Sequence, residues 1–185
     1  MSQRKSNSRG GRLANAQCSM ARAMAVVGDR WSILILREAY YGTKRFDEFE
    51  YFIGVAPNIL SNRLKRFVDV GLMRRVLLPE HSTRYEYLLT DKGRDFFPAY
   101  LALKKWGDDW LAEPDGPQVV FRDRATRRPV QYPKLLAASG KPLRLEDVEV
   151  VAGSGAVAFN RERFGAAPGT TDVARRPGRS KPGRK

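Results

Sequence analysis

Asn58, Ser61, Asn62 and Lys65 lie on the polar face of one helical stretch, and Arg63 and Arg66 lie among them. These side chains carry hydrogen-bond donors and acceptors but no nucleophile paired with a base, so their chemistry is recognition. Amide, hydroxyl and ammonium groups match the edges of bases in a duplex groove, whereas guanidinium groups match phosphate oxygens. Asn62 and Ser61 can meet a base directly or through water. Arg63 has a second use, an ion pair with an acid such as Glu50 on the preceding helix.

Catalysis finds no comparable set. The chain has one histidine, His81, and one cysteine, Cys18, far apart in sequence. No glycine-rich phosphate loop follows a strand, and no paired carboxylates mark a pocket. An enzyme is not expected, nor a cofactor. One His and one Cys cannot build a structural zinc site, so no metal is expected, and His81 reads as a solvated loop residue.

The elements that must position these donors follow from the apolar pattern. Leu60, Leu64, Phe67 and Val68 recur at helical spacing opposite the polar face and would meet a core. The helix runs over residues 57–70. Pro57 suits its first turn, where the missing N–H would be unpaired anyway, and Gly71 suits a C-terminal cap of positive φ. Ahead of it, Phe46, Phe49 and Phe52 are the buried side of a short helix over 45–53 that exposes Asp47, Glu48 and Glu50. A turn at Gly54 to Pro57 joins the two, which is the helix-turn-helix order. Residues 72–78 and 84–89 read as two antiparallel strands, a wing, with Tyr85, Tyr87 and Leu89 on one face. Ser82, Thr83 and Arg84 in its loop, with Arg74 and Arg75 on its first strand, complete the candidate DNA contacts.

Two helices precede this unit. Met20, Ala23, Met24, Val26 and Val27 fit the first, and Asp29 N-caps a second that is apolar nearly all round from Trp31 to Tyr41, with Gly42 closing it. Thr90 caps a long helix over 90–111 through Phe96, Tyr100, Leu103, Trp106 and Trp110. Pro98 removes one rung of its ladder and predicts a bend near Asp95 or Phe96. So many large apolar side chains exceed what a small winged domain can cover, and a second subunit is their natural cover. Met20, Met24, Trp31, Tyr100, Leu103, Trp106 and Trp110 are therefore the expected dimer interface or effector pocket.

The net charge of +14 points to a polyanion, and its distribution sharpens that. Ten of the fourteen come from residues 1–12 and 175–185, which contain no acid. Within the remainder, residues 57–79 carry Arg63, Lys65, Arg66, Arg74 and Arg75 against Asp69 alone, so the basic excess coincides with the proposed reading helix. No apolar run approaches the roughly 20 residues needed to span a bilayer, and the N-terminus lacks a signal-peptide core; no membrane partner and a cytoplasmic location are expected.

Read as a whole, the chain is mainly α with a small β component. We expect a flexible basic arm over 1–15 and a winged helix-turn-helix with dimerisation helix over 16–112. A small β appendage over 117–151 and a disordered basic tail over 153–185 would follow.

The run from Cys18 to Gly107 resembles the HxlR family of bacterial winged helix-turn-helix transcriptional regulators. The residues that carry the resemblance are Cys18, Val27 to Glu38, Arg45 to Phe49, Leu60 to Lys65, Val70 to Leu72, Tyr85 to Gly93, and Trp106 with Gly107. The resemblance implies a homodimer on double-stranded DNA at a palindromic or near-palindromic operator, with half-sites about 10 bp apart or a multiple of that. Such a protein represses or activates by occupying a promoter, and repression is the role expected here. It implies that the helix from Pro57 enters the major groove and that Arg84 reaches phosphate or the minor groove. Some longer members end in a cysteine-bearing hairpin that the 139–148 region resembles. Here the cysteines are missing, so apolar packing of Val119, Phe121, Tyr132, Leu143 and Val148 is expected to hold the appendage together. Members with a cysteine at position 18 include thiol sensors of electrophiles or oxidants, and Arg22 one turn later could favour a thiolate. A small residue buried at the dimer interface is the other reading of Cys18, and a small-molecule effector is left unnamed. Two further functions stay open: a nonspecific architectural DNA binder driven by the basic tails, and a winged-helix protein-interaction module.

Overall fold

The computed structural model describes residues 16–79, 84–111 and 114–165. The arm over 1–15, the wing loop with His81, Ser82 and Thr83, and the basic tail over 175–185 lie outside the described residues. The chain divides into two compact units, Met1–Pro133 and Lys134–Lys185.

The first unit contains α1 (Ser19–Val27), α2 (Arg30–Tyr41), α3 (Phe46–Ile53), α4 (Pro57–Asp69), β1 (Met73–Leu77), β2 (Tyr85–Leu89), α5 (Asp91–Asp95) and α6 (Phe97–Trp110). Its core gathers one stripe from each of the first helices. Val27, Ile35, Leu36, Phe49, Leu60, Leu64 and Phe67 meet Val55, Leu72 and Met73, all buried. The stripe of α4 at Leu60, Leu64 and Phe67 was visible in the hydrophobic spacing, because a helix buries whatever recurs on one side of it.

Asp29 caps α2 as expected, accepting from the N–H groups of Trp31 and Ser32 at 3.1 Å each. Gly42 ends α2 with φ 106, and Gly71 follows α4 with φ 71. Strands β1 and β2 pair antiparallel from Met73 with Leu89 to Leu77 with Tyr85. Tyr87 N–H donates to the Lys44 carbonyl at 2.8 Å, and Arg45 bridges Glu86, so the residues before α3 act as a third edge of the wing. The long C-terminal helix breaks at Phe96, between α5 and α6, where Pro98 removes the amide donor that continuity would need.

Several expectations are corrected. Phe52 is 57% exposed. With about 3.6 residues per turn, Phe46, Phe49 and Ile53 share the buried side of α3 and Phe52 falls off its edge. Helix α2 is not apolar all round: it buries Ser32 and Glu38, while Trp31, Ile33 and Leu34 are half-buried. Residues 117–151 form no sheet among the described residues. Only isolated bridges join Arg122 to Pro129 and Leu136 to Pro142, and a single 3-10 turn spans Leu145–Asp147 where a strand was expected. Pro117, Pro129, Pro133 and Pro142 each withhold a donor, which keeps the ladders from extending.

The appendage also divides between the units. Phe121 packs in the first unit on Tyr41, Phe97 and Tyr100, with ring centroids at 5.8, 5.1 and 6.3 Å. Val119 and Val148 are exposed rather than packed, and Leu143 is half-buried in the second unit. In that unit the Gly140 turn is closed by its amide donating to Ala137, and α7 (Ala158–Phe164) occupies part of the segment expected to be disordered. No helix of the described residues is long and apolar enough to cross a membrane.

Candidate nucleic-acid interface

Helix α4 presents the two-sided surface that its sequence predicts. Leu60, Leu64 and Phe67 are fully buried, while Pro57, Asn58, Ser61, Asn62 and Lys65 are exposed. Four donor-bearing side chains therefore project from one rigid, well-seated helix. A helix of this width fits a major groove about 12 Å across, and amide or ammonium ends can meet base edges there.

What seats α4 was only partly visible in sequence. Arg63 Nε donates to Asp29 Oδ1 at 3.0 Å, and Arg66 donates to the Ala25 carbonyl. Both arginines, expected to bind phosphate, instead tie α4 back to the α1–α2 corner. Arg63 finds its acid, but the partner is Asp29 rather than Glu50. The reason is depth. Both arginines are only partly exposed, and a buried guanidinium is stable only where nearby acceptors replace water. Burial opposes ionisation of Asp29, yet the side-chain and backbone hydrogen bonds from Ser32 and the Arg63 guanidinium outweigh it. They hold this carboxyl below its ordinary value.

The far end of α4 is fixed as firmly. Thr90 Oγ1 donates to the Gly71 carbonyl at 2.6 Å and accepts from Gly93 N–H at 3.2 Å, while Lys92 Nζ donates to the Val70 carbonyl at 2.7 Å. Gly93 is buried there, and a Cβ on it would lie 2.2 Å from the Leu72 carbonyl. The start of α5 thus holds α4 and the wing together.

Arg74 and Arg75 are adjacent in sequence but leave opposite faces of the wing, because alternate strand residues point to opposite sides. Arg75 lies over the Tyr85 ring with its guanidinium carbon 3.9 Å from the centroid. Arg74 lines a shallow cleft with Lys44 and Arg94, beside Gly42 and Thr43. Arg84 is exposed at the root of the wing loop, and its carbonyl accepts from the Leu78 N–H across the strands at 2.9 Å. Lys44 was not among the sequence candidates; only the pairing of its carbonyl with Tyr87 brings it to the wing.

The expected dimer or effector residues separate into two groups. Met20, Met24, Leu103, Trp106 and Trp110 are exposed, with Trp110 at 75%, whereas Tyr100 is buried and Trp31 half-buried. Tyr100 and Leu103 also line a cavity of about 610 Å³ between α2, α6 and residues 116–119. Its polar walls are internally satisfied: Arg37 pairs with Glu38 at 2.8 Å, Lys104 with Asp108 at 2.6 Å, and the Tyr41 and Tyr100 hydroxyls lie 3.3 Å apart. Burial pushes the Tyr100 hydroxyl, and that of Tyr40, well above the usual phenol range.

Cys18 is exposed at the N-terminus of α1. The Arg22 guanidinium donates to the Ala16 and Gln17 carbonyls at 2.7 and 2.9 Å, rather than to the thiol.

A family model described as HxlR-like helix-turn-helix matches residues 26–115. The HTH-type transcriptional regulator Rv3095 of Mycobacterium tuberculosis is 44% identical over 104 residues, 56% of this chain and 66% of its own length. The crystal structure of PA1607, a candidate transcription factor, superposes with a TM-score of 0.68 at 42% identity, covering 74% of this chain and 96% of the other. PA1374 of Pseudomonas aeruginosa, likewise a candidate transcription factor, gives a TM-score of 0.54 at 38% identity over 79% of this chain and 99% of its own.

Proposed function

The chain belongs to the HxlR-like helix-turn-helix family, and from that premise we propose that it is a homodimeric transcriptional regulator that represses by occupying a near-palindromic operator. The observation that carries the reading is the exposed row Asn58, Ser61, Asn62 and Lys65 on a helix whose other side is fully buried. Helix α4 reads bases in the major groove. Arg74, Arg75 and Arg84, with the wing loop bearing Ser82 and Thr83, supply phosphate attraction beside it.

Dimerisation is supported by the apolar surface of α1 and α6, where Met20, Met24, Leu103, Trp106 and Trp110 stand in solvent in the single chain. Two such helices meeting across a two-fold axis would cover them and set the two reading helices one helical turn apart, or a multiple.

Signal input has two candidate places, the exposed Cys18 and the cavity between α2 and α6. Diamide treatment that releases DNA would support Cys18, and a Cys18→Ser protein that still responds would eliminate it.

The test is selection of genomic fragments by the purified protein at physiological salt, followed by sequencing. The expected result is an enriched inverted repeat. Recovery of fragments without any shared sequence would replace this reading with nonspecific binding, and no recovery would leave a protein-interaction module.

A further inference from the structure

A second cationic surface lies outside the winged head. Residues 122–128 read Arg-Asp-Arg-Ala-Thr-Arg-Arg, four guanidinium groups against one acid within seven residues. They form the tip of a tight hairpin. Asp123 N–H donates to the Arg128 carbonyl and Val130 N–H to the Phe121 carbonyl, both at 2.9 Å. The one acid is consumed inside the turn, where Asp123 Oδ1 accepts from Ala125 N–H at 2.8 Å and Thr126 N–H at 2.7 Å. Those bonds, from the Thr126 amide above all, hold the Asp123 carboxyl below its usual range.

The four arginines are exposed, and none has an ion-pair partner among the described residues. An ordinary solvated charge run would be free to spread. This one is pinned at both roots. Phe121 sits in the aromatic cluster of Tyr41, Phe97 and Tyr100, and Tyr132 donates to Asp108 at 3.2 Å while its ring lies 5.5 Å from Lys105 Nζ. Holding four like charges on one fixed turn costs self-repulsion, which a polyanion removes on binding.

The hairpin root packs on the last residue of α2, from which the chain runs directly to the wing edge at Lys44. Phe121 packs on Tyr41, the residue before Gly42, and Gly42 borders the cleft that Lys44 and Arg74 line on the wing. We propose that the hairpin of Arg122, Arg124, Arg127 and Arg128 is a second phosphate-binding site, contacting the backbone of the duplex outside the operator half-site read by α4. This rests on the DNA-binding reading above. Backbone contacts of this kind fix register and add affinity without reading sequence.

The test compares the full chain with a variant carrying Arg122→Gln, Arg124→Gln and Arg128→Gln, on selected operator duplexes with long and short flanks. Arg127 is left in place because its φ of 61 is left-handed. Each lost phosphate contact lowers the slope of log affinity against log salt by about 0.9. The expected result is a slope reduced by roughly 2 to 3, hydroxyl-radical protection shortened at the outer flanks, and unchanged base preference. The triple Arg→Lys variant should restore slope and footprint, and thermal unfolding should be unaltered because these side chains make no hydrogen bond or ion pair among the described residues. Identical slope and footprint in the Gln variant would overturn the site while leaving α4 binding intact. Loss of binding to single-stranded RNA, with duplex binding unchanged, would overturn the duplex as its partner. A wild-type chain that binds no duplex would remove the function proposed above and this site with it.

Discussion

Arg63 on α4 donates to Asp29 at 3.0 Å, so the carboxylate that caps α2 also holds α4 in place. The two substitutions Asp29→Asn and Asp29→Ala separate those tasks. Asparagine keeps the cap and loses the ion pair, which at partial exposure is worth less than about 1 kcal/mol. Alanine loses both and should cost about 1 to 2 kcal/mol more, read by urea unfolding. Equal losses would place the whole effect in the ion pair.

The same carboxylate sets a pH dependence. Its folded-state value lies below the unfolded one, so its contribution is complete above the unfolded value and disappears as pH falls through the folded value. Wild type should therefore exceed Asp29→Asn in melting temperature at neutral pH, with the gap closing below about pH 4. A gap that stays constant down to pH 2 would contradict the linkage.

Arg66 and Arg74 should behave oppositely, although both are arginines of the basic stretch. Arg66 donates to the Ala25 carbonyl, so Arg66→Gln should lower stability with little change in the salt dependence of DNA binding. Arg74 has an exposed guanidinium, so Arg74→Gln should leave stability unaltered and reduce the salt slope by about one.

On the exposed row, Asn62→Ala and Lys65→Ala should change base preference. A well-formed bidentate contact is worth about 1 to 3 kcal/mol of discrimination, measurable by competition among single-base operator variants. Unchanged preference in both would remove α4 from the reading role.

Gly93→Ala should be strongly destabilising for a surface-sized change, because its methyl group would meet the Leu72 carbonyl at 2.2 Å. Overpacking of this kind costs about 1 to 3 kcal/mol. Thermal unfolding measures it, and a neutral outcome would mean that α5 and the wing are not locked together.

Trp106→Glu together with Trp110→Glu should shift the protein toward monomer in sedimentation without unfolding it. Both rings are exposed in the single chain, so neither contributes to its core. A variant that remains dimeric would place the interface elsewhere.

Much of the fold is written in local spacing. The helices, the Asp29 and Thr90 caps, the break near Pro98 and the paired strands follow from periodicity and from residues with one strong backbone preference. Residues 117–151 were less legible. Their apolar and β-branched residues suggest strands, but prolines interrupt the ladders, and Phe121 is claimed by aromatic rings from α2 and α6 that are distant in sequence.

The sequence alone determined that α4 would have one buried and one donor-bearing side, since that depends only on its own residues. Tertiary structure decided which cations remain available. Arg63 and Arg66 are drawn inward by acceptors at Asp29 and Ala25, Arg74 and Arg75 part to opposite faces of the wing, and Arg122 to Arg128 are held out on an anchored turn. A charge is readable from its residue, but its freedom depends on which acceptors the fold brings within hydrogen-bond reach.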